Sequence, residues 1–124
     1  MKAKLSAFAA MLLALLTSGI ACSQTYPVRP IRLIVPFAPG GPTDIIGRIL
    51  APRLGEALGQ QMIVDNRAGA GGNIGMGLAA QATPDGHTLI LVSSSFVVNP
   101  GLYSKIPYDP EKSFAPISNW AAMP

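Results

Sequence analysis

Three short apolar runs alternate with two stretches of helical periodicity, and this alternation most constrains what the chain can fold into. Ile31-Arg32-Leu33-Ile34-Val35 is nearly all apolar, as suits a strand covered on both faces. Pro36 to Pro42 is a turn rich in Pro and Gly. Ile45, Ile46, Ile49, Leu50, Leu54, Ala57 and Leu58 then recur at helical spacing, and Gly59 is the stop signal. Pro52 lies inside that helix and is expected to kink it or remove one of its hydrogen bonds. Gln61 to Asp65 reads as a second strand, Asn66 to Gly72 as a loop, and Asn73 to Gln81 as a short helix of small residues. Thr83-Pro84-Asp85-Gly86 is a turn, and Thr88 to Val92 reads as a third strand. An irregular segment rich in Pro, Tyr and Ser follows, and Ala115 to Trp120 is expected to begin a fourth strand. The order strand, helix, strand, helix, strand implies an α/β fold with a parallel sheet and right-handed crossovers.

The first residues belong to export, not to the fold. Lys2 and Lys4 precede an uncharged apolar run, Leu5 to Leu16, followed by the small residues Thr17, Ser18, Gly19, Ala21 and Ser23. That is the pattern of a secretory signal peptide, and the run is shorter than the roughly 20 residues a membrane span requires. Residues 1–23 are therefore expected to be removed, leaving 24–124 as the mature part. Ala21 and Ser23 suit cleavage before Gln24. A competing reading makes Cys22 a lipidation site, although Gly19 stands where lipoprotein signals usually carry a branched apolar residue. Cys22 is the only cysteine, so no disulfide forms within the chain.

Charge excludes one class of partner. The mature part carries seven basic and six acidic residues with no basic stripe, so it has no electrostatic footprint for nucleic acid.

In an open α/β sheet, ligands bind beyond the carboxyl ends of the strands, and three segments fall there. In Pro39-Gly40-Gly41-Pro42-Thr43-Asp44, the glycines allow close backbone approach and Pro42 suits the first helical position. Asp44 or Thr43 can accept hydrogen bonds from first-turn amides, and remaining amides favour a carboxylate; ordinary helix capping explains the same residues. Gly69-Ala70-Gly71-Gly72-Asn73 is the second segment. It fails as a dinucleotide fingerprint because Ile74 stands where the third glycine belongs, and it is not a P-loop. Ser93-Ser94-Ser95 is the third, offering hydroxyls to a ligand or to a helix cap. A serine nucleophile is poorly supported. There is no Gly-x-Ser-x-Gly elbow, and His87 is expected to be a surface or turn residue at the opposite end of a strand about 17 Å long. His87 and Cys22 do not make a metal site. Arg67 could clamp a carboxylate, but pairing with Asp65 or Asp44 is the simpler role. Tyr103, Tyr108 and Trp120 could line a pocket, although packing is commoner for such residues.

From Tyr26 to about Ile117 the chain resembles the Bug, or TctC-like, family, the periplasmic solute-binding proteins of tripartite tricarboxylate transporters. The residues that carry the resemblance are Tyr26-Pro27, Arg29-Pro30-Ile31, Val35 to Gly41 with Asp44, Leu58-Gly59-Gln60, Val64 with Asn66-Arg67, Gly69 to Gly72, Pro84-Asp85-Gly86 with Thr88-Leu89, Tyr108-Asp109-Pro110 and Phe114-Ala115-Pro116-Ile117. The resemblance implies a two-lobed clamshell with a carboxylate held in the cleft by loop amides, small hydroxyls and water. It places ligand-side roles on Phe37, Ala38, Gly40, Gly41 and Asp44, and extends them to Gly72, Asn73, Ser93 and Ser94. It implies a monomer in the periplasm without metal or cofactor, without catalysis, that delivers its ligand to a membrane permease. Family members are two to three times this long, so the chain is expected to be a truncated first lobe whose second lobe is absent, binding weakly or not at all alone. An exported α/β hydrolase-like enzyme and a non-functional truncated remnant are the competing readings.

Overall fold

The structure is a computed structural model that describes residues 26–120; the expected signal peptide, residues 1–23, and Cys22 lie outside them. A three-stranded parallel sheet is built from β1 (Ile31–Val35), β2 (Met62–Asn66) and β3 (Thr88–Ile90), in the order β2-β1-β3. Helix α1 (Pro42–Leu58) links β1 to β2, and α2 (Asn73–Ala80) links β2 to β3. Helix α3 (Ser95–Leu102) follows β3.

β1 is central because its side chains can be buried on both sides. Ile31, Leu33, Ile34 and Val35 are all at most 1% exposed. It pairs with β2 from Ile31 opposite Met62 to Val35 opposite Asn66, and with β3 from Arg32 opposite Thr88 to Ile34 opposite Ile90. Strand alternation sends Ile31, Leu33 and Val35 to one face and Arg32, Ile34 and the buried Pro36 to the other. α1 packs on the first face. Buried Gly47 faces the sheet there, its Cβ position 3.5 Å from both Val35 and Leu91. Ile31, Leu33, Ala51 and Met62 form the core on this side, with Leu54, Val64, Leu89, Leu91 and Trp120 against it. α2 packs on the other face, where Gly75 meets Pro36 and Met76 is fully buried. Opposite faces are what right-handed crossovers demand here, because the chain moves outward from β1 to β2 and then back across β1 to β3.

The expected α/β fold is present, with several local differences. α1 runs on through Pro52, which sits at an exposed position, and ends at Gly59 in the left-handed region (φ 69°). The third strand is shorter than Thr88 to Val92, although the Leu91 N–H still donates to the Ile34 carbonyl at 2.9 Å. The segment read as irregular contains α3, stabilised where Phe96 stacks on Tyr108 with ring centroids 5.6 Å apart. Residues 115–120 form no strand. Among the described residues no helix is long and apolar enough to cross a membrane.

Candidate functional site

The strand order β2-β1-β3 is that of a doubly wound sheet, in which ligands bind in the crevice beyond the carboxyl ends of β1 and β3, the switch point. The first loop runs from the buried Pro36 through the half-buried Phe37 to the exposed Ala38, Pro39 and Gly40. Gly40 adopts φ 83°, which an L side chain resists. Gly41 caps α1 in extended conformation without any side-chain cap, and its N–H donates to the Ala38 carbonyl at 3.4 Å.

Asp44 does not cap the first turn of α1, contrary to expectation. Its carboxylate reaches back to accept the Gly40 N–H at 2.8 Å. It also accepts Arg48 Nε at 3.0 and 3.1 Å and Asn66 Nδ2 at 2.9 Å. The hydrogen bonds from Arg48, Gly40 and Asn66 together outweigh burial and hold the Asp44 carboxyl down at about 2. Asp44 is thus a buried, fully partnered anion that shapes the loop. Asn66 also donates from Nδ2 to the Phe37 carbonyl at 3.1 Å, while its Oδ1 accepts from an Arg48 terminal nitrogen at 3.0 Å.

The second loop is a single turn of 3-10 helix, Ala70–Gly72, entered through Gly69 at φ 134°. Gly72 is buried at φ 97°, and a Cβ there would lie 3.4 Å from the Phe37 ring, so the first two loops meet at these residues. Asn73 is buried, and its Oδ1 accepts from Asn99 Nδ2 at 2.8 Å. Asn99 Nδ2 donates as well to the Gly71 carbonyl at 3.0 Å, so α3 braces this loop from behind. The Tyr103 hydroxyl sits over Gly71, where a Cβ would be 2.7 Å away.

Ser93 and Ser94 are exposed beyond β3. The Ser93 carbonyl accepts from Phe96 N–H at 3.0 Å, and the Ser94 carbonyl accepts from the Val97 and Val98 N–H groups at 3.1 Å, so both carbonyls face α3. The Ser93 and Ser95 hydroxyls lie 3.3 Å apart.

His87, expected at the surface or in a turn, lies in the bend before β3 but is buried. It is 7% exposed, lies edge-on to Tyr26 and has Nδ1 3.2 Å from the Asp85 carbonyl. It precedes β3 while the serines follow that strand, so the fold places these groups at opposite ends of it. Arg67 takes the structural role: its Nε donates to Asp65 Oδ1 at 2.9 Å, and Arg32 Nε donates to Asp65 Oδ2 at 2.6 Å. Tyr108 and Trp120 are packing residues, the first stacked on Phe96 and the second against the α1-side core. Sequence reasoning missed Arg48, Asn66 and Asn99: the i,i+4 spacing of Asp44 and Arg48 on α1 could have signalled the first, whereas the partners of Asn66 and Asn99 lie on other elements.

A broad groove of about 880 Å³ lies elsewhere, between α1 and β2, and includes Pro52, Gly55, Met62 and Val64. It runs along the α1 side of β2 and reaches Arg48, the partner of Asp44, but is lined by no residue of the loops after β1 and β3. The switch-point loops remain the better candidate because they combine backbone approach, hydroxyls and a braced framework.

The comparisons agree with the fold. A family model described as "Tripartite tricarboxylate transporter family receptor" matches residues 46–124. Protein BugT of Bordetella pertussis is 47% identical over 113 residues, covering 87% of this chain and 35% of that protein. A protein from the tcbD-tcbE intergenic region of Pseudomonas sp. strain P51 is 42% identical over 118 residues, covering 94% of this chain and 35% of the other. Among solved structures, the periplasmic binding protein BugD superposes with TM-score 0.72 at 46% identity, over 74% of this chain and 31% of that one. MatC from Rhodopseudomonas palustris, solved with bound malate, superposes with TM-score 0.66 at 38% identity, over 73% and 31% of the two chains. A further R. palustris protein was solved with adipate (TM-score 0.67, 39% identity, 69% and 29% of the chains). The chain spans about a third of the length of the curated relatives it matches. With the family match covering more than half its residues, the chain belongs to the tripartite tricarboxylate transporter receptor family.

Proposed function

We propose that this chain supplies one lobe of an extracytoplasmic solute-binding protein that captures a small carboxylate for a tripartite tricarboxylate-type transporter. The observation that carries the reading is the contact between the first two strand-end loops at Phe37 and Gly72, with the third leading into α3, whose Asn99 braces the second, in a family with relatives solved holding malate and adipate. Phe37, Ala38, Gly40, Gly41 and Asp44 form its first loop, Gly72 and Asn73 its second, and Ser93 and Ser94 its third. Within this set the roles divide. The exposed Ala38 and the Ser93 and Ser94 hydroxyls face outward as donors to an anion. Asp44 and Asn73 are buried and hold the loops in place.

Capture requires no chemistry. A carboxylate loses its water shell on entering a cleft, and fixed N–H and O–H dipoles replace that shell. Reaction at a serine is disfavoured by the separation of His87 from Ser93 and Ser94 along β3. The carboxylate is released to a membrane permease, and the protein works in the periplasm after export through residues 1–23. In a two-lobed receptor the second lobe would close over the ligand and raise affinity.

A thermal melt of the mature chain, Gln24 to Pro124, with and without a panel of carboxylates tests the reading. An upward shift with one acid class is expected, because binding to the folded state alone raises stability. A cooperative melt that no carboxylate moves would count against it.

A further inference from the structure

We propose that Asn66, the last residue of β2, is the positioning residue of the loop Phe37 to Gly40, fixing its peptide planes without touching the ligand. The inference rests on the reading of that loop as ligand-facing. Its evidence is a set of contacts converging on one side chain from two other segments. Nδ2 donates to the Phe37 carbonyl at 3.1 Å and to Asp44 Oδ1 at 2.9 Å, and Oδ1 accepts from Arg48 at 3.0 Å. The partners settle the orientation of the amide: turned over, it would place its oxygen against two other oxygens and its NH₂ against a guanidinium.

The consequence follows from peptide geometry. In a trans peptide the carbonyl and the following N–H point in opposite directions. Tying the Phe37 carbonyl to Asn66 therefore turns the Ala38 N–H away from β2. The same Asn66 amide steadies Asp44, whose other oxygen holds the Gly40 N–H at 2.8 Å. One side chain thus pins both ends of the loop. No other residue type serves equally at this length. Asp would set a second carboxylate against Asp44, Leu would leave the Phe37 carbonyl unpartnered, and Gln would overreach.

The titratable and charged groups facing this amide are Asp44 and Arg48, both from α1; the first loop contributes only a carbonyl. Asp65 and Arg67 pair with each other on the opposite face of β2.

The test is amide hydrogen exchange by NMR on the 124-residue chain, comparing wild type, Asn66→Asp and Asn66→Ala at about pH 7.5 and about pH 5, with β1 amides as the internal measure of an intact fold. Wild type should protect the Gly40 N–H equally at both pH values after correction for intrinsic rates. Asn66→Asp should lose Gly40 protection by about tenfold or more at the higher pH and regain part of it at the lower, where the two carboxyls share a proton. Asn66→Ala should lose protection without regaining it. Gly40 protection unchanged in both variants, or already absent in wild type, would overturn the proposal. So would loss of β1 protection in both variants, which would make Asn66 a residue of the whole fold. The readout needs no ligand, so it succeeds or fails separately from carboxylate capture.

Discussion

The Asp44 carboxylate accepts the Gly40 amide proton across 2.8 Å, closing the loop before α1 onto the helix's own first turn. Asp44 is 2% exposed, so its charge shapes the loop without offering itself to solvent. Asp44→Ala would free the Gly40 N–H and leave Arg48 and Asn66 without their shared acceptor. The expected result is carboxylate affinity weaker by about tenfold or more, the equivalent of about one charge-assisted hydrogen bond. A calorimetric titration checks this, and unchanged affinity would remove Asp44 from the loop's framework.

Acid should unfold the protein through its paired carboxylates. Asp44 is held at about 2 by hydrogen bonds from Arg48, Gly40 and Asn66. At Asp65 burial pushes upward, but hydrogen bonds from Arg67 and Arg32 outweigh it and the net direction is down. Asp85 is lowered by the His87 backbone N–H and by Arg29. A carboxyl lowered in the folded state contributes stability that is full above its unfolded value, 3.8, and is lost as pH falls through its folded value. Melting temperature should therefore be nearly flat from neutral pH to about 4 and fall steeply between about 4 and about 2. In Asp44→Asn that fall should be shallower.

Two glycines separate packing from propensity. A Cβ at Gly75 would lie 2.7 Å from the Arg67 carbonyl and 2.7 Å from Pro36, both held firmly where α2 crosses the sheet. Gly75→Ala should destabilise by roughly 1–3 kcal/mol, as overpacking does in close-packed interiors. Gly101, inside α3, has nothing within 4 Å of its Cβ position. Gly101→Ala should be neutral or stabilise by up to about 1 kcal/mol through helix propensity and a less free unfolded chain. Denaturant titrations of both variants check the pair, and equal effects would contradict the packing of α2 on Pro36.

The sheet could be read directly because local patterns determine it. A continuous apolar run such as Ile31 to Val35 has little choice but burial, and Gly59 marks the end of α1 because its left-handed backbone suits glycine. α3 could not be read. Asn99-Pro100-Gly101 looks like a breaker, and the helix holds because Asn99 reaches Gly71 and Asn73 while Phe96 stacks on Tyr108. His87 is buried for the same kind of reason: Tyr26 lies edge-on to its ring, while the Tyr26 hydroxyl donates to the Gly86 carbonyl at 2.7 Å. Asp44 could be read as a candidate, but not its hold on Gly40, Arg48 and Asn66. Asn66 is 22 residues from Asp44 and 29 from Phe37, and no local spacing rule links them.

The most direct test of the central claim is an NMR titration of the mature chain with malate and adipate up to tens of millimolar, a range that reaches even weak, roughly millimolar binding. The account predicts saturable shift changes confined to Phe37 to Asp44, Gly72, Asn73, Ser93 and Ser94. Changes centred on the α1–β2 groove around Gly55 and Met62, or none at any concentration, would contradict the assignment of the β1/β3 switch point as the carboxylate site.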